Sequence, residues 1–164
     1  MNNSVKFDAK DCKILEILQQ NADTQVSDVA QQVGLSQTPT WRRIQRMKEE
    51  GVIMKNVALL SPQKVNVGVT VFVAVRTSMH TQAWFEKFKA VVQAIPEVVE
   101  FYRMSGQIDY LLKIVVPDID AYDAIYKRLI SRLPVFDVSS MFAMEEIKAS
   151  TVLPLSYTRD RSKT

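Results

Sequence analysis

A chain of 164 residues, 47% apolar and 24% charged, has an ordinary globular composition with room for one domain or two small ones. Its net charge of +3 does not by itself require a nucleic-acid partner, and its one cysteine, Cys12, excludes an intrachain disulfide framework and a cysteine-rich zinc site. The opening MNNSVKFDAKD lacks the apolar centre of a signal peptide, and no apolar run approaches the ~20 residues that span a bilayer, so the cytoplasm is the expected address.

Residues 1–7 read as a loose arm. Asp8 and Asp11 then precede Ile14, Leu15 and Leu18 at helical spacing, which predicts an amphipathic helix of about 13 residues with acids at its positive end. Cys12 lies on this helix as a small packing residue. Two shorter helices come next, between Val26 and Gly51. Val29, Ala30 and Val33 share one face, Gly34 stops the first helix, and Leu35 plugs the corner. Ser36 and Thr38 are N-cap candidates, and Pro39 suits a first turn. Thr40, Ile44 and Met47 then recur at helical spacing, with Trp41 and Lys48 on the adjoining row. Gln37, Arg42, Arg43, Gln45 and Arg46 lie on the other side. The expected core is Leu15, Leu18, Val29, Val33, Leu35, Ile44 and Met47.

This is a helix-turn-helix pattern with a basic, amide-rich second helix. Between Ser36 and Lys55 the chain carries five cations against two acids. Local cation density matters because neutralising phosphates releases counterions. Two helices about a glycine turn also occur in all-α proteins with a merely solvated basic face. The stretch after Gly51 favours DNA: residues 52–60 are rich in β-formers and read as a short hairpin or strand pair, a wing with Lys55 placed toward phosphates.

Ser61 to Gly68 reads as a hinge. Beyond it the pattern predicts a strand at 69–77, a helix at 81–94 stopped by Pro96, strands at 98–104 and 109–116, a helix at 118–133 ended by Pro134, and a strand at 135–144. An extended tail then runs from Glu145 to Leu155. The order β-α-β-β-α-β is the ferredoxin-like arrangement, with both helices on one face. Val71, Val73, Val75, Phe101, Leu112, Ile114 and Phe142 are expected on the bare face, where so much apolar surface predicts sheet-on-sheet dimerisation.

No catalytic constellation is apparent, and no cofactor or metal site is expected. His80 is the only histidine and sits at a strand-to-helix turn, as a surface or helix-capping residue. No phosphate-binding glycine loop occurs. The turn Ser105-Gly106-Gln107-Ile108-Asp109 has two readings. Its backbone N–H groups beside the Asp109 carboxylate suit a zwitterion, or it is a plain hairpin turn with a solvated acid.

Taken together these residues resemble the Lrp/AsnC ("feast/famine") family of transcription regulators over roughly Asp8 to Leu155. The resemblance rests on Asp8-x-x-Asp11-x-x-Ile14-Leu15-x-x-Leu18, Val33-Gly34-Leu35-Ser36, Thr38-Pro39, Arg43-Ile44, Arg46-Met47 and Gly51-Val52-Ile53. In the second half it rests on Ser105-Gly106-x-x-Asp109-Tyr110-Leu111-Leu112, Val116-Pro117-Asp118, Arg132-Leu133-Pro134 and Met144-Glu145-Glu146. It implies an α+β protein: a winged helix-turn-helix at 1–60, a hinge at 61–68, a RAM-type αβ-sandwich for effector binding and oligomerisation at 69–155, and a polar tail at 156–164. It also implies homodimers assembling to octamers, double-stranded DNA as partner, a nucleoid-associated location and an amino-acid effector at the dimer–dimer contact. Carried over by position, Ser105, Gly106, Ile108 and Asp109 line that site, and Ile119, Phe142 and Ala143 respond to the effector. The stretches Thr38–Arg43, Phe101–Met104 and Phe142–Glu145 look most like a cysteine-responsive branch. The chain departs from the family pattern at Asp23-Thr24-Gln25, where an Arg is common, at Gln107, where an acid is common, and at Trp41 and Arg42.

The expected function is a DNA-binding transcription regulator, not an enzyme. Ser36, Gln37, Thr38 and Thr40 begin the groove-facing helix as base readers. Trp41 is expected to pack its ring while its edge nears the DNA. Arg42, Arg43 and Arg46 are phosphate or guanine contacts, and dimers should prefer half-sites about 34 Å apart. Two alternatives stay open on the sequence: an effector-independent architectural DNA-bridging protein, and an amino-acid-sensing subunit that regulates an enzyme.

Overall fold

The computed structural model describes residues 6–132 and 137–158. The expectations for residues 1–5, for the stop at Pro134, for the strand start at Val135 and for the tail from 159 onward lie outside the described residues. In chain order the elements are α1 (Ala9–Gln20), α2 (Val26–Val33), α3 (Gln37–Glu49), β1 (Val69–Arg76), α4 (Gln82–Gln93), β2 (Val98–Arg103), β3 (Tyr110–Val116), α5 (Ile119–Arg132), β4 (Asp137–Phe142) and a final 3-10 turn (Leu155–Thr158). The chain groups into two compact units. One holds residues up to Ala58 together with the segment from Lys148, and the other is Leu59–Ile147.

Helix α1 starts where Asp8 and Asp11 close a reciprocal capping box. The Asp8 carboxylate accepts the N–H groups of Lys10 and Asp11 at 2.9 and 2.8 Å, and the Asp11 carboxylate accepts the Asp8 N–H at 3.2 Å. The hydrogen bond from the Asp11 N–H, joined by Arg43, holds the Asp8 carboxyl below the usual carboxylate range. Helix α2 ends at Gly34, whose φ of 65° and ψ of 47° place it in the left-handed region. The Leu35 N–H then returns to the Ala30 carbonyl at 3.0 Å, turning Leu35 into the core. That core is Ile14, Leu15, Val29, Val33, Ile44 and Met47, with Leu18 and Leu35 partly buried against it.

Two expectations about this unit change. Residues 52–60 form no strand pair among the described residues. The N–H groups of Val52 and Ile53 instead donate to the Met47 carbonyl at 2.9 and 3.0 Å, and both side chains pack on the helical core. The β-forming composition there serves first to close α3, and the remainder, from Met54 to Leu60, has no regular secondary structure and is exposed. The C-terminal segment also differs. The family resemblance carries the sheet domain on to residue 155, whereas 148–158 packs with the helices. Gln19 exchanges two hydrogen bonds with the Leu153 backbone at 3.1 and 2.8 Å, Leu155 packs on the core, and the Cys12 Sγ lies 3.3 Å from the Thr158 hydroxyl.

The second unit is the expected βαββαβ fold, a four-stranded antiparallel sheet in the order β2-β3-β1-β4. Val71, Val73 and Val75 of β1 with Leu112, Ile114 and Val116 of β3 are buried beneath α4 and α5. There they meet Trp84, Phe88, Val92, Tyr122, Ile125 and Leu129. This corrects the expected bare face. Val71, Val73, Val75, Leu112 and Ile114 are at most 2% exposed and lie under the helices, and Phe101 packs partly on the same core. Phe142 also stacks edge-on against Tyr122 of α5. Side chains alternate along a strand, so the open face is the other set, with Phe72 opposite Lys113 and Met141, and Ala74 opposite Leu111 and Ser139. It is less apolar than expected, because Lys113 pairs with Glu100 at 3.3 Å and the Tyr102 hydroxyl donates to Glu100 at 2.6 Å.

Gly34 has no heavy atom within 4 Å of where a Cβ would stand, so substitution there tests backbone conformation alone. Gly34→Ala is expected to lose about 1–2 kcal/mol in urea unfolding and Gly34→Asn less, because Asn tolerates the left-handed region. Equal losses would mean that the turn is not what limits the site. For Asp8 the folded carboxyl is depressed, so its contribution is present above the ordinary value of about 4 and lost as pH falls through the folded value. Asp8→Ala should therefore trail the parent at neutral pH by about 0.5–2 kcal/mol, toward the lower end for a half-exposed group, and the gap should close in acid. A gap that does not change with pH would rule out a contribution from the charge.

Candidate DNA interface and effector site

Helix α3 is oriented by its buried row. Thr40, Ile44 and Met47 are buried, which at 100° per residue turns Thr38, Arg42, Gln45 and Glu49 away from the core and sets Gln37, Trp41 and Lys48 along one flank. Gln37, Thr38, Arg42 and Lys48 are exposed, and Trp41 is 52% exposed. Ser36 holds the N-cap position, but its side chain accepts no capping bond from the helix and is exposed. Lys55 is exposed on the irregular segment beyond the helix.

Three of the expected contacts stand elsewhere. Thr40 is fully buried and its hydroxyl donates to the Ser36 carbonyl at 3.0 Å, so it belongs to the core and not to the base-reading set. Arg43 and Arg46 lie on the other flank, drawn to α1. Arg43 Nη1 donates to Asp8 at 2.7 Å and to Asp11 at 2.8 Å, and Arg46 Nη2 donates to Asp11 at 2.8 Å. The hydrogen bonds that Arg43 donates to Asp11, then to Asp8, raise its pKa still further. Asp11 is therefore a structural acid of the DNA-binding unit that sequence reasoning takes only for a helix-dipole partner. Its spacing from Asp8, an acid at each end of a capping box, is the available signal.

In the second unit the candidate effector residues fall into two groups at opposite ends of the sheet. The turn holding Ser105, Gly106, Ile108 and Asp109 leads into β3 beside the end of β1, where Val75 pairs with Tyr110. Gly106 takes a φ of 126°, and Ser105 is exposed. Asp109 is anchored on both sides: its N–H donates to the Val75 carbonyl at 3.0 Å and its Oδ2 accepts the Thr77 N–H at 2.8 Å. Its Oδ1 faces His80, whose Nδ1 is 4.0 Å away. Sequence reasoning treats His80 as a surface or capping residue, and no local pattern links it to an acid so distant in the chain. Ile119, Phe142 and Ala143 lie at the far end, where Val69 pairs with Val116 and Val71 with Phe142. The seven-residue β3 between the two groups is roughly 20 Å long. At the far end Ile119 and Phe142 border an open cleft of about 330 Å³ with Tyr122, Asp123 and Ser140. The Tyr122 and Ser140 hydroxyls bond each other there, and burial pushes the Tyr122 hydroxyl pKa up. Among the described residues no group of His, Cys, Asp and Glu is arranged to hold a metal, and no helix is long and apolar enough to cross a membrane.

Comparison with known proteins gives this geometry a family. Residues 7–54 match the family described as Winged helix-turn-helix DNA-binding, and residues 70–153 match the Lrp/AsnC ligand binding domain. The chain is 47% identical over 158 residues, 96% of each protein, to the Glutamate uptake regulatory protein of Zymomonas mobilis. Its fold is similar to a solved AsnC family transcriptional regulator from Agrobacterium tumefaciens, with a TM-score of 0.89, 60% identity and coverage of 92% of this chain and 99% of that one. It is also similar to transcriptional regulator NMB0573 of Neisseria meningitidis, solved as a complex with L-Met, with a TM-score of 0.88, 34% identity and coverage of 93% and 99%. The chain belongs to the Lrp/AsnC family of DNA-binding transcriptional regulators, a winged helix-turn-helix followed by a ligand-binding domain, and it is not an enzyme.

Proposed function

We propose that α3 lies in the major groove and reads bases with Gln37 and Thr38, with Trp41 against a base edge or sugar and with Arg42, Ser36 and Lys55 on phosphates. The observation that supports this is the outward row itself. A buried Thr40–Ile44–Met47 stripe leaves an amide, a hydroxyl, an indole and a guanidinium exposed on one helix. A glutamine pairs bidentately with adenine, which is worth ~1–3 kcal/mol against a wrong base. Arg43 and Arg46 contribute through α1 instead of through DNA.

We further propose that the effector is a free α-amino acid held between copies of the chain. Asp109 Oδ1 is directed at its ammonium group and the N–H groups of the Gly106 turn at its carboxylate. The two groups of candidate residues stand a strand length apart, which supports a site completed by the far end of a second copy, with Ile119, Phe142 and Ala143 supplied from there. Assembly would proceed through the open sheet face around Phe72, Leu111 and Met141 to homodimers and then to an octamer. The cysteine-like branch stretches make cysteine the first effector to test. The L-Met bound by the Neisseria relative and the glutamate in the name of the Zymomonas relative make the class, amino acids, broader than one member.

In equilibrium binding, Arg42→Ala is expected to weaken all duplexes alike and to lower the salt slope by about 1, whereas Gln37→Ala should relax discrimination at a single base pair by roughly five- to a hundredfold. Both variants binding like the parent would remove the groove docking of α3. For the effector, a thermal-shift panel of the twenty amino acids should give a stabilising hit, worth about 2.7 kcal/mol at a hundredfold excess over Kd. Asp109→Asn keeps an acceptor for the Thr77 N–H while losing the charge, so it should abolish that hit without lowering the melting temperature of the unliganded protein. A hit that survives Asp109→Asn would place the ammonium elsewhere, and titration calorimetry with cysteine silent and another amino acid binding would exclude cysteine.

A further inference from the structure

The acid at the centre of the α1–α3 contact does more than close a helix. The Asp11 side chain is only 2% exposed, and both its oxygens are occupied: Oδ1 by Arg43 Nη1 and Oδ2 by Arg46 Nη2, each at 2.8 Å, with the Asp8 N–H also on Oδ2. A carboxylate this deeply placed persists because charged donors replace the lost water. Arg43 and Arg46 are three residues apart on α3, so one acid grips the helix at two points on one flank. The apolar row beneath α3 makes non-directional contacts that tolerate a small roll, whereas charge-assisted hydrogen bonds are directional. Arg46 also forms a looser ion pair with Glu50, 3.8 Å from its Nε, which is buried without a hydrogen bond, so Asp11 is the closer of its two acidic partners.

We propose that Asp11 is a positioning residue for DNA recognition: by gripping Arg43 and Arg46 it fixes the roll of α3 and withholds two cations from the duplex. This rests on the groove docking of α3 proposed for the chain's function. A roll of about 20° at the radius of helix side chains moves a base-reading atom by about 2 Å, enough to break a bidentate contact. Two freed guanidinium groups would meanwhile attract any phosphate backbone, specific or not. The acid therefore trades general DNA affinity for discrimination. Simple electrostatics predicts the opposite result for specific binding, since removing an acid from a DNA-binding protein should tighten every complex.

The test uses the full chain, the best duplex recovered by in vitro selection with the parent protein, and a scrambled duplex of the same composition, titrated between about 50 and 200 mM salt. Asp11→Asn is expected to raise affinity for the scrambled duplex a few-fold with a steeper salt slope, and to lower the selected-to-scrambled ratio at least about tenfold. Arg46→Gln, which leaves the Asp11–Arg43 pair in place and does not depend on Asp11→Asn folding, should lower the ratio several-fold with the salt slope unchanged. A phosphate-contacting arginine would instead reduce the slope by about 1. The proposal is overturned if Asp11→Asn tightens both duplexes equally, if it weakens both together, or if Arg46→Gln lowers the slope. A parent protein that selects no duplex overturns the docking of α3 and this proposal together, whereas variants that misbehave on a duplex the parent does select overturn this proposal alone.

Discussion

A carboxylate shut away from water must be matched by donors at fixed directions, and Asp11 meets that condition only when α1 and α3 pack in one register. The apolar cluster that Ile14, Leu15, Ile44 and Met47 form with Val29 and Val33 of α2 draws the three helices together without specifying a rotation. The pair of guanidinium groups supplies the specification. Everything offered outward by α3, from Gln37 to Lys48, inherits its aim from that contact. The exposed face of the helix is correspondingly modest in charge, carrying Arg42 and Lys48 beside Glu49.

The second unit solves a different problem. Its strand β1 is paired on both sides, so its polar backbone is satisfied throughout and its side chains divide cleanly between a helix-covered face and an open one. Because β3 runs the length of the sheet, the turn before it and the helix after it emerge at opposite ends. The candidate effector residues are thus held apart within a single chain. Under the proposed function, separation of this kind would make ligand binding and self-association interdependent, which is the general requirement for an effector that acts on assembly.

Much of this was legible from residue patterns. Gly34 marks the corner because only a left-handed turn lets Leu35 fold back, and Ile44 and Met47 show which side of α3 is buried, although Thr40 on the same row looks from its position near the helix start like a base reader. Element order in the second half followed from hydropathy and proline. Parity did not, because the strand from Val69 to Thr77 is apolar at both odd and even positions, and only matching it to the stripes of α4 and α5 decides which set is covered. The flank occupied by Arg43 and Arg46 is not legible in the sequence, because a basic residue beside a DNA-facing row has the same spacing whether it meets phosphate or an acid of another helix. Non-local pairings such as Asp109 with His80, Gln19 with Leu153 and Cys12 with Thr158 leave no trace in local spacing at all.

The return of residues 148–158 to α1 makes the sheet unit an insertion within the helical one. During translation the first three helices leave the ribosome long before Leu155, which packs against their core, has been made. The sheet unit is whole by residue 147 and is free to fold while the helices still wait for their last partner. The DNA reader, encoded first, is therefore finished last, after the sheet unit that would gather the copies.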